Sequence, residues 1–520
     1  ITPNLWMMRA RPSWIASWLP RIGNYACSNL FADSEAGLRK EMMKVQLQVL
    51  SADECAQVHE HSLKLLAGTG VRVASEQARR LLKRSGGLVD ENLQLVRFPP
   101  PLIEETLQAA PKEFKLGGRR PDWDLDMNIG ECSLLADGGA ISVLDWESGE
   151  IRSGTYRDWL DATHLIDALD EIGVYWNMVE GGLESRSLGD YVLYWRNVFQ
   201  NCSKHLQDST DSPAKSKLLL EILQIVFGDK EVLRAKHPFS FLLCPRSPLV
   251  IDEQFTDAYL AMTGWDIPVA IMPMPLMGAT GPASLISSIL MANTEFLAMH
   301  CLVQSASPGT PVLYAPVTQS VEPHTWRYTG GAVENSLFGA ATTAMGRYYG
   351  FPVEAPTGGT DQYYPGAQAG YERAINWTLP TLSWPDILVG PGLLGGSTIL
   401  CLEQMLMDVE IFRRCARLHE GIHTDSDRWL DAVIAQAGPG GHFLNQKSTS
   451  QALREGKFYL SEFGFHDTYE NWRKAGMPDI VDQIQEMTHQ VLNNHQPLPL
   501  DPLVTRELER LERRMRTEEM

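Results

Sequence analysis

Short apolar runs alternate with helical patterns along most of the chain. Candidate strands lie at 174–178, 202–206, 239–244, 268–272, 311–315, 351–354 and 387–390. Helical periodicity fills the intervals and continues at 400–418 after the last strand. Buried strands that alternate with helices indicate a parallel sheet with crossover helices. Seven candidate strands, with an eighth hidden elsewhere, predict an α/β fold of the closed (β/α)8 TIM-barrel type.

Other patterns flank the predicted barrel. Residues 43–150 are predicted as a helical region with a hairpin, whose arms 133–136 and 141–145 are joined by Asp137-Gly138-Gly139. The barrel is assigned to residues 151–425, and residues 426–520 to a C-terminal helical extension. Residues 1–42 match nothing later in the chain. Two interpretations stay open for them: a disordered or ordered N-terminal extension, or an upstream artefact with the natural start at Met42 or Met43.

The composition excludes several classes of protein. Lys and Arg number 45 and Asp and Glu 64, so the 520-residue chain carries a formal charge of −19. This charge disfavours nucleic acid or an anionic membrane as a partner. The eight cysteines are scattered without a Cys-x-x-Cys pair, which favours a reducing cytoplasm. Four prolines interrupt the longest uncharged run, residues 267–294, so no membrane span is predicted there.

The strongest signal for function is the segment PVEAPTGGTDQYYPGAQAGYE, residues 352–372. It places Asp361, Tyr363 and Tyr364 on one glycine-rich loop after a strand. A carboxylate beside aromatic rings suits a small organic cation, because ring faces attract cations most strongly where water is excluded. The segment therefore predicts a cation-binding site at the barrel mouth.

Other polar and aromatic residues fall at the predicted C-terminal ends of strands, where barrels of this type carry their chemistry. The candidate substrate-binding residues are Trp176, Asn177, Tyr314, Glu354, Tyr363 and Tyr364, and the candidate catalytic residues are Asp361 and His205. Each aromatic residue taken singly is more often packing than ligand. The acids have a second interpretation as well, in which they hold loops through backbone N–H groups.

Two familiar motifs are weak here. Residues 390–395 spell Gly-x-Gly-x-x-Gly, but the downstream acids Asp408 and Glu410 fall inside one helical pattern rather than at the end of a second strand, which argues against a dinucleotide site. His419 and His423 have helical spacing at a predicted helix end, without further ligands nearby. No metal site is predicted.

Several ordered segments resemble the trimethylamine methyltransferase family of corrinoid-dependent amine methyltransferases. They are TGGTDQYYPGAQAGYERA, the Lys204-His205 pair, GGAVENSLFGAATTAMGRYYGFP and GPGGHFLNQ. The resemblance runs from about residue 50 to residue 498. It implies a (β/α)8 barrel that transfers a methyl group from a small methylated amine to the Co(I) corrinoid of a separate carrier protein.

The resemblance also implies which branch of the family applies. Trimethylamine enzymes carry a pyrrolysine in the loop that matches residues 358–364, whereas this chain has ordinary residues there. It is therefore similar to the pyrrolysine-free branch that acts on glycine betaine and other quaternary amines. Relatives usually carry an acid at the position of Gly366, which indicates an altered pocket.

No tightly bound cofactor is expected, because no histidine is followed three residues later by glycine as in the corrinoid-binding Asp-x-His-x-x-Gly signature. Two alternatives remain open: a corrinoid-independent barrel lyase or hydrolase that uses Asp361 and His205 as acid and base, and a non-catalytic protein that binds a methylated amine. The oligomeric state is open, and a homo-oligomer is compatible with the sequence.

Overall fold

The computed structural model describes residues 45–180 and 187–518. The predicted extension 1–42 lies outside the described residues. The centre of the molecule is a ring of eight parallel strands. They are β1 (Ser133–Leu135), β2 (Ile172–Tyr175), β3 (His205–Asp208), β4 (Phe239–Leu243), β5 (Val269–Ile271), β6 (Val312–Tyr314), β7 (Glu354–Pro356) and β8 (Ile387–Val389).

Hydrogen-bonded pairing runs in the order β6-β5-β4-β3-β2-β1-β8-β7. A parallel bridge between Tyr314 and Val353 joins β6 to the start of β7 and closes the ring. The predicted α/β TIM-type barrel is thereby confirmed. Alternate side chains point inward, and the interior holds an apolar cluster that includes Leu135, Val174 and Leu313.

One helix follows each strand and covers the barrel. These helices are α1 (Tyr156–Ala168), α2 (Leu188–Asn201), α3 (Pro213–Phe227), α4 (Gln254–Leu260), α5 (Leu285–Ala306), α6 (Val333–Tyr349), α7 (Ala367–Ser383) and α8 (Leu402–Glu420). Local signals set their starts. At α1, for example, Thr155 and Asp158 form a reciprocal capping box that satisfies two backbone N–H groups.

By length and composition alone, helix α5 could cross a membrane. However, 78% of its most apolar stretch is buried inside the protein. It packs against the N-terminal helix Ala52–Gly68 on its outer side. Burial of this kind is typical of a core helix that is covered on all sides.

The predicted hairpin of residues 133–145 is wrong. Ser133–Leu135 pairs in parallel with β2 and β8, so it is the eighth barrel strand that the sequence concealed. The hairpin lies further on and joins Ser142–Asp145 to Glu150–Ser153. Turn residues such as Asp137-Gly138-Gly139 mark a change of direction, but they do not say which strand the chain pairs with afterwards.

Strand boundaries also differ from the prediction at two candidate residues. His205 and Glu354 were predicted at or near the C-terminal ends of strands, and each instead begins its strand. Residues 202–204 are predicted as strand, but they are buried without belonging to one. Lys204 is buried because its ammonium group donates to the carbonyl oxygens of Ile166 and Leu169 at the end of α1.

The N-terminal end of the barrel is closed. A short hairpin pairs Lys115–Leu116 with Leu125–Asp126, and Leu116 and Met127 pack into the interior cluster. Beside this hairpin, the Gly117 N–H donates to the His237 carbonyl oxygen at 3.0 Å, and the Gly117 carbonyl oxygen lies 3.2 Å from Nδ1 of His205. Access to the interior is therefore expected from the opposite, C-terminal end.

The remaining elements flank the barrel. The N-terminal region contains helices Ala52–Gly68, Glu76–Arg84 and Pro100–Ala109, and strands Val71–Val73, Leu88–Asp90 and Leu95–Arg97. Strand Val250–Ile251, from the loop after β4, joins that sheet. Short strands Leu276–Met277, Gln319–Val321, Tyr328–Thr329, Leu393–Leu394 and Ile399–Leu400 lie beyond the barrel strands, and helix Lys230–Lys236 precedes β4.

The C-terminal part consists of helices. They are Asp431–Ala437, Lys447–Arg454, Tyr469–Lys474, Ile480–Asn494 and Pro502–Glu518. Helix Ile480–Asn494 packs against α8 and α1, and Pro502–Glu518 packs against α2. The first two helices contain no buried residue.

Candidate functional site

A cavity of about 1000 Å³ opens at the C-terminal ends of β3, β4 and β5. Its charged lining residues are Asp211, Arg246, Asp252, Glu253 and Asp257. Four carboxyl groups against one guanidinium make this cavity favourable for a cation. We call it the mouth cavity. Its inner wall includes Leu242 and Cys244, whose side chains belong to the barrel interior.

A chain of hydrogen bonds crosses the barrel interior. The Gln207 amide on β3 donates to Glu354 Oε1 on β7 at 2.9 Å. The Ser240 hydroxyl on β4 donates to Gln207 Oε1 at 2.9 Å. His205 Nε2 lies 2.9 Å from the same Ser240 oxygen, so the ring contacts the network at that hydroxyl. These four side chains are all buried and form one polar network, which we call the cross-barrel network.

Glu354 is the acid of this network. Its side chain is fully buried, and its second oxygen, Oε2, has no hydrogen-bond partner in the described part of the chain. Burial raises the pKa of Glu354 to about 7, while the hydrogen bond from Gln207 opposes that rise. Burial, and after it the charge of Glu354, also raise the pKa of the Cys244 thiol to about 12. Because Cys244 lines the mouth cavity, Glu354 lies within electrostatic reach of the cavity wall.

His205 occupies the closed end of the barrel rather than its mouth. Its Nδ1 lies 3.2 Å from the Gly117 carbonyl oxygen, so both ring nitrogens have protein partners. Burial lowers the pKa of His205 to about 3. The ring therefore stays neutral at physiological pH, and the geometry gives it a positioning role in the network rather than that of an acid or base.

Asp361 holds the loop that follows strand Tyr328–Thr329. Its Oδ1 accepts from the Gly330 N–H at 2.8 Å, and its Oδ2 accepts from the Gly331 N–H and the Thr329 hydroxyl. Both carboxylate oxygens are thus occupied by the protein. Of the two interpretations that the sequence left open for this acid, the contacts favour the structural one.

The predicted aromatic residues are not gathered into one water-poor pocket. Tyr314 faces outward, where its hydroxyl donates to Asn293 on α5 and its ring packs on Phe296, so its predicted place in the pocket wall is wrong. Strand alternation decides this, because Leu313 and Ala315 take the inward positions. Tyr363 and Tyr364 are 56% and 41% exposed on the rim.

The other predicted aromatic residue is better placed. Trp176 packs against the interior cluster at the end of β2. Its ring lies so close to Gly138 that a Cβ added there would approach within 2.7 Å. At the rim, Tyr364 stacks on Trp146 with ring centroids 5.1 Å apart, and Tyr363 lies beside Gly395.

Several buried side-chain oxygens lack hydrogen-bond partners within the described residues, and three of them belong to carboxyl or carboxamide groups on or shortly after barrel strands. They are Oε2 of Glu354, Oδ1 of Asn177 after β2, and Oε1 of Gln319 after β6. All three are acceptors. Buried polar atoms are nearly always paired in folded proteins, so acceptors left open on and shortly after the barrel strands suit a ligand that brings positive charge or donors.

Sequence reasoning missed Gln207, Ser240 and the acids of the mouth cavity. One signal for Gln207 was present, since it lies two residues after His205 and so shares its face of the strand. The cavity acids come from the loops after β3 and β4 and from α4. Their proximity depends on how those segments fold back over the barrel, which no local pattern encodes.

The two weak motifs have structural explanations. The carboxylate of Asp408 accepts from the Gly392 N–H at 2.9 Å, and the Arg373 guanidinium donates to Gly390 O at 2.7 Å. A buried acid thus already occupies a loop amide that a pyrophosphate would need. The ring of His419 stacks on Trp384 at 3.9 Å. Within residues 45–180 and 187–518, no group of three or more His, Cys, Asp or Glu side chains is arranged to hold a metal ion.

Comparison with known proteins assigns the barrel to a family. The family model described as trimethylamine methyltransferase (MTTB) matches residues 31–520. The chain belongs to the trimethylamine methyltransferase family. The match covers nearly the whole sequence, which confirms the resemblance seen in the loop after β7 and in the glycine-rich segment near residue 440.

Curated members of the trimethylamine methyltransferase family align over most of their length. The trimethylamine methyltransferase MttB of Desulfitobacterium hafniense (strain DSM 10664 / DCB-2) is 28% identical over 453 residues, 86% of this chain and 90% of that protein. The glycine betaine methyltransferase of D. hafniense (strain Y51) is 28% identical over 468 residues, 89% of this chain and 95% of that protein. The MttB of Methanosarcina barkeri (strain Fusaro / DSM 804) is 26% identical over 472 residues, 89% and 94% of the two chains.

Among solved structures, the monomethylamine methyltransferase of Methanosarcina barkeri aligns with 91% of this chain and 98% of its own. The TM-score is 0.44 and the sequence identity 13%. The fold is therefore assigned from the closed strand order described above, and membership of the family is assigned from the family match.

Proposed function

We propose that this protein transfers a methyl group from a quaternary or tertiary amine to the Co(I) corrinoid of a separate carrier protein. The observation that carries the proposal is Glu354, a carboxyl group buried inside the barrel with one oxygen unpaired and a pKa near neutrality. In a trimethylamine methyltransferase family member, such a group is suited to balance the charge of a methylated amine.

The reaction requires the protein mainly to position the amine and to balance its positive charge. The Co(I) centre of the carrier supplies an electron pair to the methyl carbon, and the C–N bond breaks with its electrons left on nitrogen. A quaternary ammonium thus departs as a neutral tertiary amine and needs no proton from the enzyme. The residues must hold the cation, orient one methyl group toward the mouth and exclude water. These effects lower the entropic and solvation contributions to the activation barrier of the methyl transfer.

Glu354 is assigned the role of counter-charge. A bound cation favours the ionised carboxylate, so amine binding and loss of the Glu354 proton are coupled. Gln207 positions the carboxylate through Oε1, and Ser240 and His205 hold the Gln207 amide in the orientation that donates. Trp176 is proposed to supply an aromatic face at the end of β2, and Asn177 an open acceptor.

Glycine betaine is the first substrate to test. The loop 358–364 consists of ordinary residues, and one of the aligned relatives is named as a glycine betaine methyltransferase. Arg246 in the mouth cavity provides a cation for a substrate carboxylate, beside acids that suit a quaternary nitrogen. The reaction is expected in the cytoplasm, where a reduced corrinoid and free cysteines are both compatible with the redox state.

The decisive experiment incubates the protein with a reduced carrier protein and a panel of quaternary and tertiary amines. Methylation of cobalt changes the visible spectrum of the carrier, and we expect that change with at least one quaternary amine. Absence of the change with every amine and an authentic carrier would refute the proposal. Turnover without any corrinoid would favour the lyase or hydrolase alternative. Calorimetric binding without methyl transfer would favour a binding protein.

A further inference from the structure

Residues 244–251, which follow β4, carry Arg246 into the mouth cavity. We call this segment the β4 loop. It leads to strand Val250–Ile251, and its residues Cys244, Arg246 and Ser247 line the cavity. Arg246 is exposed, and its guanidinium has no ion pair with an acid in the described part of the chain. The guanidinium is therefore available to an anion that enters the cavity.

Most acids of the same cavity are engaged with other groups. Their partners are Lys215 for Asp211 at 2.7 Å, the Phe255 N–H for Asp252 at 2.9 Å and the Ser75 hydroxyl for Asp257 at 2.5 Å. A carboxylate on a ligand therefore need not displace any of these three acids in order to pair with the arginine. Such a pair is a charge-assisted hydrogen bond, and an arginine can donate to both oxygens of a carboxylate at once.

Backbone hydrogen bonds fix the two ends of the β4 loop. Arg246 and Val250 exchange N–H···O bonds of 2.8 and 3.0 Å. The Arg72 N–H, from the N-terminal sheet, donates to the Leu249 carbonyl oxygen at 3.0 Å. Between Arg246 and Val250 the chain reverses direction in residues 247–249, which we call the turn.

The turn contains an unfavourable backbone conformation. Leu249 has a φ of +56°, in the left-handed region. Residues other than glycine seldom adopt this region, because the Cβ atom is crowded by the neighbouring backbone. A conformation of this kind persists only where the surrounding structure holds it. The turn therefore needs contacts beyond those of its own backbone.

Glu295 on α5 supplies those contacts. Its Oε2 accepts from the Ser247 hydroxyl at 2.7 Å, and its Oε1 accepts from the Leu249 N–H at 2.7 Å. Glu295 is 1% exposed and is not among the residues that line the mouth cavity. Burial raises its pKa to about 7, although both hydrogen bonds oppose that rise. Each carboxyl oxygen of this buried acid is thus bonded to the turn that follows Arg246.

We infer that Glu295 is a positioning residue for recognition of a carboxylate on the substrate, because it fixes the β4 loop that presents Arg246 to the mouth cavity. An exposed arginine has many side-chain conformations, so the place of its backbone decides where its guanidinium can reach. A loosened turn would spread the guanidinium over more positions, and a bound substrate would then have to order it again. The inference rests on the proposed function in one respect, namely that a quaternary amine with a carboxylate occupies the cavity.

Glycine betaine and choline are a matched pair of ligands for testing this inference. Both carry a trimethylammonium group, and only glycine betaine has a carboxylate. Calorimetry on the full chain without any carrier protein gives the two affinities. The parent protein should bind glycine betaine about tenfold or more tightly than choline, as expected for hydrogen bonds to a charged group.

Two substitutions of Glu295 separate its contacts from its charge. Glu295→Leu loses both bonds to the turn and should remove most of the preference for glycine betaine, while choline affinity stays within about twofold. Glu295→Gln can still accept from the Leu249 N–H, and its amide can donate to the Ser247 oxygen. It should therefore retain the preference of the parent protein.

Asp167 on α1 offers a matched control at the closed end of the barrel. It accepts from the Ser203 N–H and hydroxyl at 2.7 and 2.8 Å, the same two kinds of bond that Glu295 accepts. Asp167→Leu should lower stability and leave the ratio of the two affinities unchanged. Ser247→Ala removes one of the two bonds to Glu295 and should lower the ratio several-fold, so it decides the question if Glu295→Leu does not fold.

A double-mutant cycle with Arg246 distinguishes positioning from a general loss of structure. In the Arg246→Gln background, Glu295→Leu should lower the ratio no further. Three results would each overturn the inference: a parent protein that binds both ligands equally, a folded Glu295→Leu that keeps the parental ratio, and an equal fall of the ratio in both backgrounds. An unchanged ratio in Ser247→Ala would do the same if Glu295→Leu does not fold.

These measurements are independent of the methyl-transfer assay. A failure of transfer to an authentic carrier would count against the proposed function, whereas the ratio of glycine betaine to choline affinity reports only on the arginine and the residue that positions it.

Discussion

Gln207 on β3 donates its side-chain amide to Glu354 on β7 across the barrel interior, at 2.9 Å. In a ring of eight strands these two lie on opposite walls. The bond places a titratable carboxyl group in the interior of the barrel and fixes one of its oxygens, while the other stays unpaired within the described residues. Most of the functional expectations for this protein depend on that pair.

Neutralisation of Glu354 should weaken binding of a quaternary ammonium. We expect Glu354→Gln to lower affinity about tenfold to a hundredfold, because contacts to a charged group contribute about 1.5–3 kcal/mol each. Titration calorimetry with glycine betaine and related amines measures this. Glu403→Gln, a buried acid on α8 outside the barrel interior, is the matched control and should leave affinity unchanged. Equal losses in both variants would mean that the effect is not specific to Glu354.

The pKa of Glu354, raised to about 7, should appear in the pH dependence of binding and stability. Affinity for the cation should rise as pH increases through about 7, since the carboxyl group then ionises. Stability should change in the opposite direction. The unfolded carboxyl group ionises near its ordinary pKa of about 4.3, so the contribution of the buried neutral acid is lost as pH rises from that value to about 7. At about pH 8, thermal melting should therefore show Glu354→Gln to be more stable than the parent protein, although it binds more weakly.

Removal of the Gln207 amide should move this pH dependence rather than abolish it. The hydrogen bond from Gln207 lowers the pKa of Glu354, so Gln207→Leu should raise that pKa further and shift the midpoint of amine binding to higher pH. Binding measured between about pH 6 and pH 9 reports the midpoint. Gln304→Leu removes another buried glutamine, one that holds Gly309 and Thr310 outside the barrel interior, and should leave the midpoint in place.

Asp361 should affect the stability of its loop more than the chemical step. Asp361→Asn retains one acceptor oxygen but loses charge-assisted bonds to the segment 329–331, so we expect a loss of about 1–3 kcal/mol in the free energy of unfolding. Chemical denaturation measures this loss. Methyl transfer at saturating amine should fall by less than about tenfold. A loss of all activity in a variant that remains folded would instead establish Asp361 as catalytic.

The position of Trp176 can be tested through its neighbour. Gly138→Ala introduces a Cβ within 2.7 Å of the indole, which must tilt to accommodate it. We expect amine affinity to fall several-fold, within the ~0.5–2 kcal/mol of a cation–π contact. Tyr314→Phe is the contrasting variant, because it loses the bond to Asn293 in the helix layer. It should cost about 1 kcal/mol of stability and leave affinity unchanged.

The sequence by itself determined the barrel and its family. Its short apolar runs suit strands, and segments of helical periodicity separate them. This pattern allows few other arrangements, because two parallel strands must be joined by a long crossover connection, which is usually a helix. Prediction failed for the pairing partner of Ser133–Leu135 and for the bounds of β3 and β7, where apolar character alone does not distinguish a strand from a segment packed under a helix. The loop after β7 lies within the family match, and in the structure Tyr363 of this loop is exposed while Asp361 is half-buried.

Only the tertiary structure decided which residues form the site. Gln207 and Glu354 are 147 residues apart, and they meet because closure of the ring brings opposite walls together. The outward direction of Tyr314 follows from the two-residue period of a strand, and a shift of one residue would have reversed it. Local sequence patterns encode the period of the apolar residues and the propensity for helix or strand. Contact across a barrel depends instead on the summed register of all eight strands, which no single segment contains.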